Sequence, residues 1–176
     1  GGKGGGRGTR SVASYDEDTT TMGVAAARIA LAGTGATPDA VWFSTASPAY
    51  LEKTNATAIH AALRLPATTS AFDFGGAVRS GTGALHTALD GGSTVLTVLS
   101  DVRTGLPTSS DESAGGDAAA AFLVGEGDES QLAAVFLGAA SATDEFIDRW
   151  RIPGDRRNRQ WEERFGETKY VPLAEQ

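Results

Sequence analysis

The chain has 176 residues, of which 40% are hydrophobic and 21% charged, which is typical of a folded globular protein rather than a disordered one. Its net charge of -7 is unfavourable for binding nucleic acid, and the basic residues that gather over 3–10 and 149–159 are interleaved with acids in the second stretch, which indicates a solvated face. The absence of cysteine excludes disulfides and thiolate chemistry in these residues. With only two histidines, we expect no metal site. No apolar run is long enough to span a membrane, so we expect no membrane span and a cytoplasmic location.

The first half of the sequence alternates helices and strands. Residues 1–10 are too rich in glycine to form a core element. Acids at positions 16–18 predict a helix start, and apolar residues then recur at helical spacing until Gly33. The following pattern predicts, in order, a strand over 41–45, a helix over 54–65, a strand over 70–74 and a helix that carries Leu85 and Leu89 and ends at Gly91.

The second half contains the most continuously apolar strand, over 94–99, which is typical of a strand buried on both faces. A polar loop over 101–116 follows. Segments 118–124 and 132–137 are predicted to form an antiparallel pair around the acidic turn 125–130. The charged tail beyond residue 142 is expected to pack through its aromatic residues, Trp161, Phe165 and Tyr170.

This order of elements predicts an α/β fold, with a mostly parallel sheet, flanking helices and a C-terminal antiparallel hairpin. Ligands of such sheets bind beyond the carboxyl ends of the strands. The loops after Thr45 and Phe74 are therefore the predicted site.

Three stretches, taken together, resemble ketoacyl-ACP synthase III and HMG-CoA synthase, which are thiolase-fold condensing enzymes. The first is an arginine, a short loop and a Glu that lead into Thr-Met-Gly, over 10–23. The second is Ala-Phe-Asp-Phe, at 71–74, followed by small residues and Gly-Ala-Leu at 83–85. The third is Ser-Asp at 100–101, followed by Gly-Asp-Ala-Ala-Ala-Ala-Phe-Leu-Val-Gly over 116–125.

The resemblance implies a thiolase-like fold of two similar halves, each with a five-stranded sheet. On this basis residues 1–142 form the first half without its first strand, which is expected before Gly1. Residues 143–176 form an excursion that leads to the second half, which is expected after Gln176.

The resemblance also implies where the catalytic groups of a condensing enzyme belong. Such enzymes transfer an acyl group to a cysteine thiolate at a helix N-terminus. That position falls on Val78, so the acyl-cysteine step is not expected here. The general-acid position of HMG-CoA synthases, in the loop after strand 41–45, falls on Ala46. Glu52, close by, is predicted to be solvated near a helix start.

Two residues beside Val78 are candidates for substrate binding. Arg79 can bind a carboxylate or phosphate, or form a surface ion pair. Ser80 can replace the nucleophile, or have a structural or helix-capping role. Asp73 and Asp117 are expected to orient their own turns through backbone N–H groups, beside the turn glycines Gly76 and Gly116. His60 and His86 are expected to pack on helices.

Three functions remain open. The first is an enzyme that acts on CoA or acyl-carrier thioesters by aldol or retro-aldol chemistry, which needs no thiolate. The second is a non-catalytic scaffold or dimerisation subunit. The third is a condensing enzyme whose nucleophile lies elsewhere. The resemblance implies no covalently bound cofactor and a CoA thioester substrate. It also implies a homodimer or pseudo-dimer through strand 70–74, and analogy with aldolases of this fold suggests an OB-fold, zinc-ribbon partner.

Overall fold

A computed structural model describes residues 9–128, 130 and 132–175 of the chain. The features predicted for residues 1–8 and part of the turn 125–130 lie outside the described residues. The described helices are α1 (Thr19–Leu31), α2 (Ala56–Leu63), α3 (Arg79–Asp90), α4 (Ser110–Ala114) and α5 (Glu163–Ala174). The described strands are β1 (Ala40–Thr45), β2 (Ser70–Gly75), β3 (Val95–Asp101), β4 (Ala118–Val124), β5 (Arg149–Trp150) and β6 (Arg159–Gln160).

The described residues divide into two compact units, which are each described by themselves. The first, called the sheet unit, comprises residues 11–102 and 117–137. The second, called the hairpin unit, comprises residues 103–116 and 138–175 together with the described residues before Ser11.

The sheet unit contains a four-stranded sheet in the order β2-β1-β3-β4. Strand β1 pairs in parallel with both β2 and β3, and β4 pairs antiparallel with β3. This mixed, mostly parallel sheet with flanking helices confirms the predicted fold class. An antiparallel hairpin does lie toward the C-terminus, in the hairpin unit, but it is formed by β5 and β6 and not by the predicted segments 118–124 and 132–137.

Alternation along the strands divides the apolar residues between two faces of the sheet. Val41 and Phe43 of β1 and Leu96 and Val98 of β3 form the larger cluster, which packs with residues of α1 and α2. The opposite face carries a smaller cluster around Ala40 and Val95, against Ala88 of α3. Consecutive residues of β3 are therefore buried, as the continuous apolar run predicted.

Helix α1 begins where the acidic residues indicated. The Asp18 carboxylate accepts a hydrogen bond from the Thr21 N–H at 2.8 Å, and the Thr21 hydroxyl oxygen accepts one from the Asp18 N–H at 2.8 Å. This reciprocal capping box satisfies backbone donors that the first turn leaves without helical partners.

The predicted pairing of segment 132–137 with 118–124 is wrong. The antiparallel partner of β4 is β3, and the described residues of 132–137 contain no strand. Phe136 instead contacts His86 of α3 edge to face, with ring centroids 6.2 Å apart. This contact places Phe136 against α3, while the other residues of the segment are exposed, so a run of apolar residues did not mark a strand here.

The hairpin unit contains two helices that the sequence did not predict. Helix α4 lies in the segment expected to be a polar loop, and the Ser109 hydroxyl caps it by accepting from the Glu112 N–H at 3.2 Å. The buried Asp111 of α4 is bound by Arg149 of β5. Helix α5 lies in the charged tail, where Phe165 and Tyr170 pack edge to face on Phe146, as expected of the aromatic residues there.

Candidate active site

The candidate site lies at the carboxyl end of β2, where the chain turns into α3. Val78 precedes the first residue of α3, its backbone is already helical, with φ -56° and ψ -38°, and its side chain is 55% exposed. A side chain here stands at the positive end of the helix dipole, where an anion is stabilised. The backbone therefore has the geometry that an activated thiolate needs, but the side chain is an aliphatic group without a nucleophile.

Two neighbours of Val78 form the turn rather than supply chemistry. Gly76 has φ +96°, a left-handed conformation that favours glycine. The Ser80 hydroxyl donates to the Gly75 carbonyl at 2.9 Å. This bond ties the first turn of α3 to the end of β2, which supports the structural role of Ser80 and not a nucleophilic one.

The loop after β1 is held by Asp101, a residue that the sequence placed in a motif without a role. One carboxylate oxygen of Asp101, at the end of β3, accepts from the Ala46 N–H at 2.7 Å and from the Thr45 hydroxyl at 3.1 Å. Ala46 thus lies at the end of β1, where the general acid was expected, and offers only a methyl group. The sequence did contain a signal for this role, because Asp101 is an acidic residue at the end of a strand predicted to be parallel.

Asp73 fixes the start of α2 rather than its own turn. Its carboxylate accepts from the backbone N–H groups of Asn55 and Ala56, both at 2.7 Å, and from the Asn55 side-chain amide at 3.0 Å. Asp73 does bind backbone N–H groups, as expected. These groups belong to the N-terminus of α2, however, and not to the turn that follows β2.

Asn55 was missed as a structural residue. It is 2% exposed, and its side chain accepts from the Tyr50 N–H and donates to the Tyr50 carbonyl, both at 3.0 Å. These bonds shape the loop that borders a cavity of about 450 Å³ beside β2, which extends from Thr45 to Gly76. Glu52 lies in this loop with φ +65°, not at a helix start, because α2 begins only at Ala56.

Asp117 is 8% exposed and borders a different cavity. Its carboxylate accepts from the Ala13 N–H at 2.9 Å, and its own N–H donates to the Ser11 carbonyl at 3.0 Å. The second cavity, of about 550 Å³, lies between α1 and β4 and is lined mainly by apolar residues such as Met22, Ile29 and Phe122. The structural role of Asp117 is therefore to hold residues 11–13 beside the start of β4.

Comparisons with known proteins show which proteins this chain is similar to. The chain is 32% identical over 169 residues to the hydroxymethylglutaryl-CoA synthase of Thermococcus gammatolerans, an alignment that covers 92% of this chain and 48% of that protein. Among solved structures, PksG, an HMG-CoA synthase from Bacillus subtilis, is 26% identical with a TM-score of 0.77, covering 95% of this chain and 42% of PksG. A 3-oxoacyl-(acyl-carrier-protein) synthase III is 25% identical with a TM-score of 0.54, covering 68% and 39%. No protein-family model matches the chain.

This chain is related to the amino-terminal half of the hydroxymethylglutaryl-CoA synthases. It has their thiolase-like fold, as the resemblance implied, and it spans about half the length of the curated relatives that it matches.

Arg79, the other candidate for substrate binding, is the first residue of α3. Arg79 is exposed and forms no ion pair with the described residues. His60 is half-buried and its ring nitrogen contacts the Pro66 carbonyl at 2.9 Å, while the exposed His86 packs on Phe136, so both histidines pack on helices as expected.

Within residues 9–128, 130 and 132–175, no group of three or more metal-ligating side chains is present, and no helix is long and apolar enough to cross a bilayer. Gly116, which precedes Asp117 in the predicted Gly-Asp motif, is exposed and lies just before the start of β4.

Proposed function

We propose that this chain is the first half of a divergent acyl-thioester-handling protein of the condensing-enzyme type, in which no acyl group is carried at residue 78. The observation that supports it most is the exposed Val78 at the tip of α3, where the fold presents a helix N-terminus at the end of β2. Ala46, which follows β1, likewise has no acidic group at the position that the resemblance assigns to the general acid.

Without a thiolate, the chemistry best suited to such a site is aldol or retro-aldol cleavage of a β-hydroxyacyl thioester. That reaction needs a base and a polarised thioester carbonyl, but no covalent acyl-enzyme. The base would come from outside these residues. We propose a CoA or acyl-carrier thioester as the substrate, because solved structures of this fold include an HMG-CoA synthase complexed with CoA and an HMG synthase in complex with acetyl donor-ACP.

The alternative is a scaffold or dimerisation subunit, and the free edge of β2 favours it. Among the described strands β2 pairs only with β1, and Phe72 on β2 is 55% exposed. We propose that two copies, or this chain and a related one, pair along this edge in a two-fold dimer. An OB-fold, zinc-ribbon partner belongs to the aldol or retro-aldol proposal, by analogy with aldolases of this fold, and a cytoplasmic location is proposed for either function.

The other edge of the sheet offers a place for the fifth strand that the resemblance implies. Among the described strands β4 pairs only with β3, and the apolar cavity between α1 and β4 runs along its side. We propose that an additional strand of the same protein pairs there and covers exposed side chains such as Phe122 and Ile29.

Binding of the thioester is tested by replacing Arg79. We expect Arg79→Ala in the full-length protein to raise the Kd for acetyl-CoA about tenfold, the loss of one charge-assisted hydrogen bond worth about 1.5 kcal/mol. Isothermal titration calorimetry measures it. Arg64→Ala is the matched control, because Arg64 is an exposed arginine at the end of α2. Equal affinities for the two variants would contradict a binding role for Arg79, and no binding of acetyl-CoA by the wild type would favour the scaffold.

A further inference from the structure

The β-hairpin of the hairpin unit has its polar face, not its aromatic face, bound to α4. Arg149 and Gln160 are direct cross-strand partners, so their side chains lie on the same face of the hairpin. Both are bound by consecutive residues of α4. The buried Asp111 forms an ion pair with Arg149, and the Ser110 hydroxyl donates to the Gln160 side-chain oxygen at 2.7 Å. Arg149 therefore belongs to a structural contact and not to the solvated face that the sequence indicated.

The opposite face of the same hairpin carries two indoles. Trp150 and Arg159 form the neighbouring cross-strand pair, and side chains of successive pairs point to opposite faces. Trp161 lies on the face of Trp150, since the two ring centroids are 6.3 Å apart. The backbone N–H of Trp161 donates to the Asp148 carbonyl at 2.6 Å, which holds the residue beside the hairpin, yet 58% of it is exposed.

This orientation is the reverse of the one that the hydrophobic effect favours. An indole gains more from burial than the side chains of arginine and glutamine do, so burial alone would turn Trp150 and Trp161 toward the rest of the unit. The ion pair between Asp111 and Arg149 opposes that arrangement, because separating the two groups would leave a buried carboxylate without its partner. The polar contacts with α4 therefore keep the aromatic face outward.

The charge around this face restricts what can cover it. Residues 149–161 contain five arginines and one aspartate, a formal charge of +4 in a chain whose net charge is -7. Arg159, on the aromatic face, keeps 54% of its side chain exposed although it is paired with Asp155 at 3.5 Å. The same face of a second copy would bring like charges together, which is unfavourable. The complementary surface is therefore apolar, with carboxylates at its rim.

The size of the face restricts its partner further. The paired strands of the hairpin have two residues each, so the face is small beside the roughly 800 Å² per partner that a stable interface between separate proteins buries. A segment of the same polypeptide can dock on a smaller surface, because the covalent link gives it a high effective concentration. The chain spans about half the length of the curated relatives that it matches, so a protein of their length would contain such a segment.

We propose that the aromatic face of the hairpin is the docking surface for the carboxyl-terminal half of the same protein. Trp161 packs against apolar side chains of that half, and Arg159 pairs with one of its carboxylates. The inference rests on the proposed function, in which this chain is the first half of a longer protein.

The test replaces Trp161 in the full-length protein by the photo-crosslinking amino acid p-benzoylphenylalanine. After irradiation, intact-mass and peptide mass spectrometry identify the residues that it contacts. We expect a crosslink within one polypeptide, to a peptide beyond residue 176 that contains acidic residues. The same amino acid at position 164, an exposed arginine of α5 in the same unit, should give less of this crosslink.

Hydrogen–deuterium exchange of the crosslinked peptide gives a second readout without the foreign side chain. We expect Trp161→Ser to increase the exchange of that peptide, and Trp161→Phe to increase it less, because phenylalanine retains an apolar ring. Thermal unfolding of each variant shows that a gain in exchange is not a loss of folding.

A crosslink between two copies of the protein, seen as a doubled mass, would overturn the proposal. So would crosslinks confined to residues 1–176, or exchange that is unchanged in Trp161→Ser. Titration of the same protein with acetyl-CoA separates this proposal from the proposed function. The expected crosslink without binding of acetyl-CoA would contradict the thioester function and support the docking surface, and binding of acetyl-CoA without the crosslink would do the reverse.

Discussion

Replacing Asp73 by alanine is expected to lower the free energy of unfolding by about 2 kcal/mol. The carboxylate accepts three hydrogen bonds, two from the first backbone N–H groups of α2 and one from the side chain of Asn55. Its removal leaves the buried Asn55 amide with fewer partners and the helix N-terminus without a capping anion. Urea unfolding followed by circular dichroism measures the change.

The control for this prediction is Asp90→Ala. Asp90 is an exposed acid at the last residue of α3, so its loss should change the free energy of unfolding by about 0.5 kcal/mol or less. Equal unfolding midpoints for the two variants would show that the Asp73 network does not stabilise the strand end. Because this network also holds the loop beside the candidate cavity, Asp73→Ala should weaken ligand binding there as well.

The second large effect is expected at Gly81, where α3 packs on the sheet. A Cβ atom at this position would lie 2.8 Å from Cδ2 of Leu99, closer than side chains normally approach. We expect Gly81→Ala to be less stable than Gly83→Ala by about 1 kcal/mol, because the Leu99 side chain must shift to admit the methyl group while the gain in helix propensity is similar at both positions.

Gly83 provides a matched control on the same helix. A Cβ atom there meets nothing within 4 Å, so Gly83→Ala should stabilise the protein by about 0.5–1 kcal/mol. The unfolding midpoint should therefore be lower for Gly81→Ala than for Gly83→Ala. Equal midpoints for the two variants would mean that α3 does not pack this closely on β3.

The elements of the sheet could be predicted because each has a strong local signal. The β-branched run of β3, the acids before α1 and the glycines after α3 are visible in the sequence without knowledge of the fold. What failed was pairing. Segment 132–137 is as apolar as a buried strand, but Phe136 contacts His86 on a helix, and no local pattern can report a contact with a residue so far along the chain.

The missed helices had weaker signals for identifiable reasons. Helix α4 is one turn long, and its signal was Ser109 followed three residues later by Glu112, in a stretch otherwise typical of a loop. Helix α5 contains Pro172 and is mostly polar, so neither propensity nor periodicity indicates it.

The candidate site divides in the same way. The positions of Val78 and Ala46 were predicted from the order of the motifs, and the structure has Val78 at the tip of α3 and Ala46 directly after β1. The role of Asp101 could not be predicted in full, because its partners, Thr45 and Ala46, lie at the end of another strand. Asn55 bonds locally to Tyr50, but its other partner, Asp73 of β2, is brought near only by the fold.

The central claim is that residue 78 occupies the position of an acyl-accepting nucleophile and that valine leaves it unable to react. The most direct measurement is intact-mass spectrometry of the full-length protein after incubation with acetyl-CoA, for the wild type, Val78→Cys and Thr82→Cys. The last variant places a thiol one helical turn further along α3, at an exposed position away from the helix tip. We predict no adduct on the wild type and one acetyl group on Val78→Cys, formed faster than on Thr82→Cys because the helix N-terminus favours the thiolate. An acetyl adduct on the wild-type chain, or equal acylation of the two cysteine variants, would contradict the account.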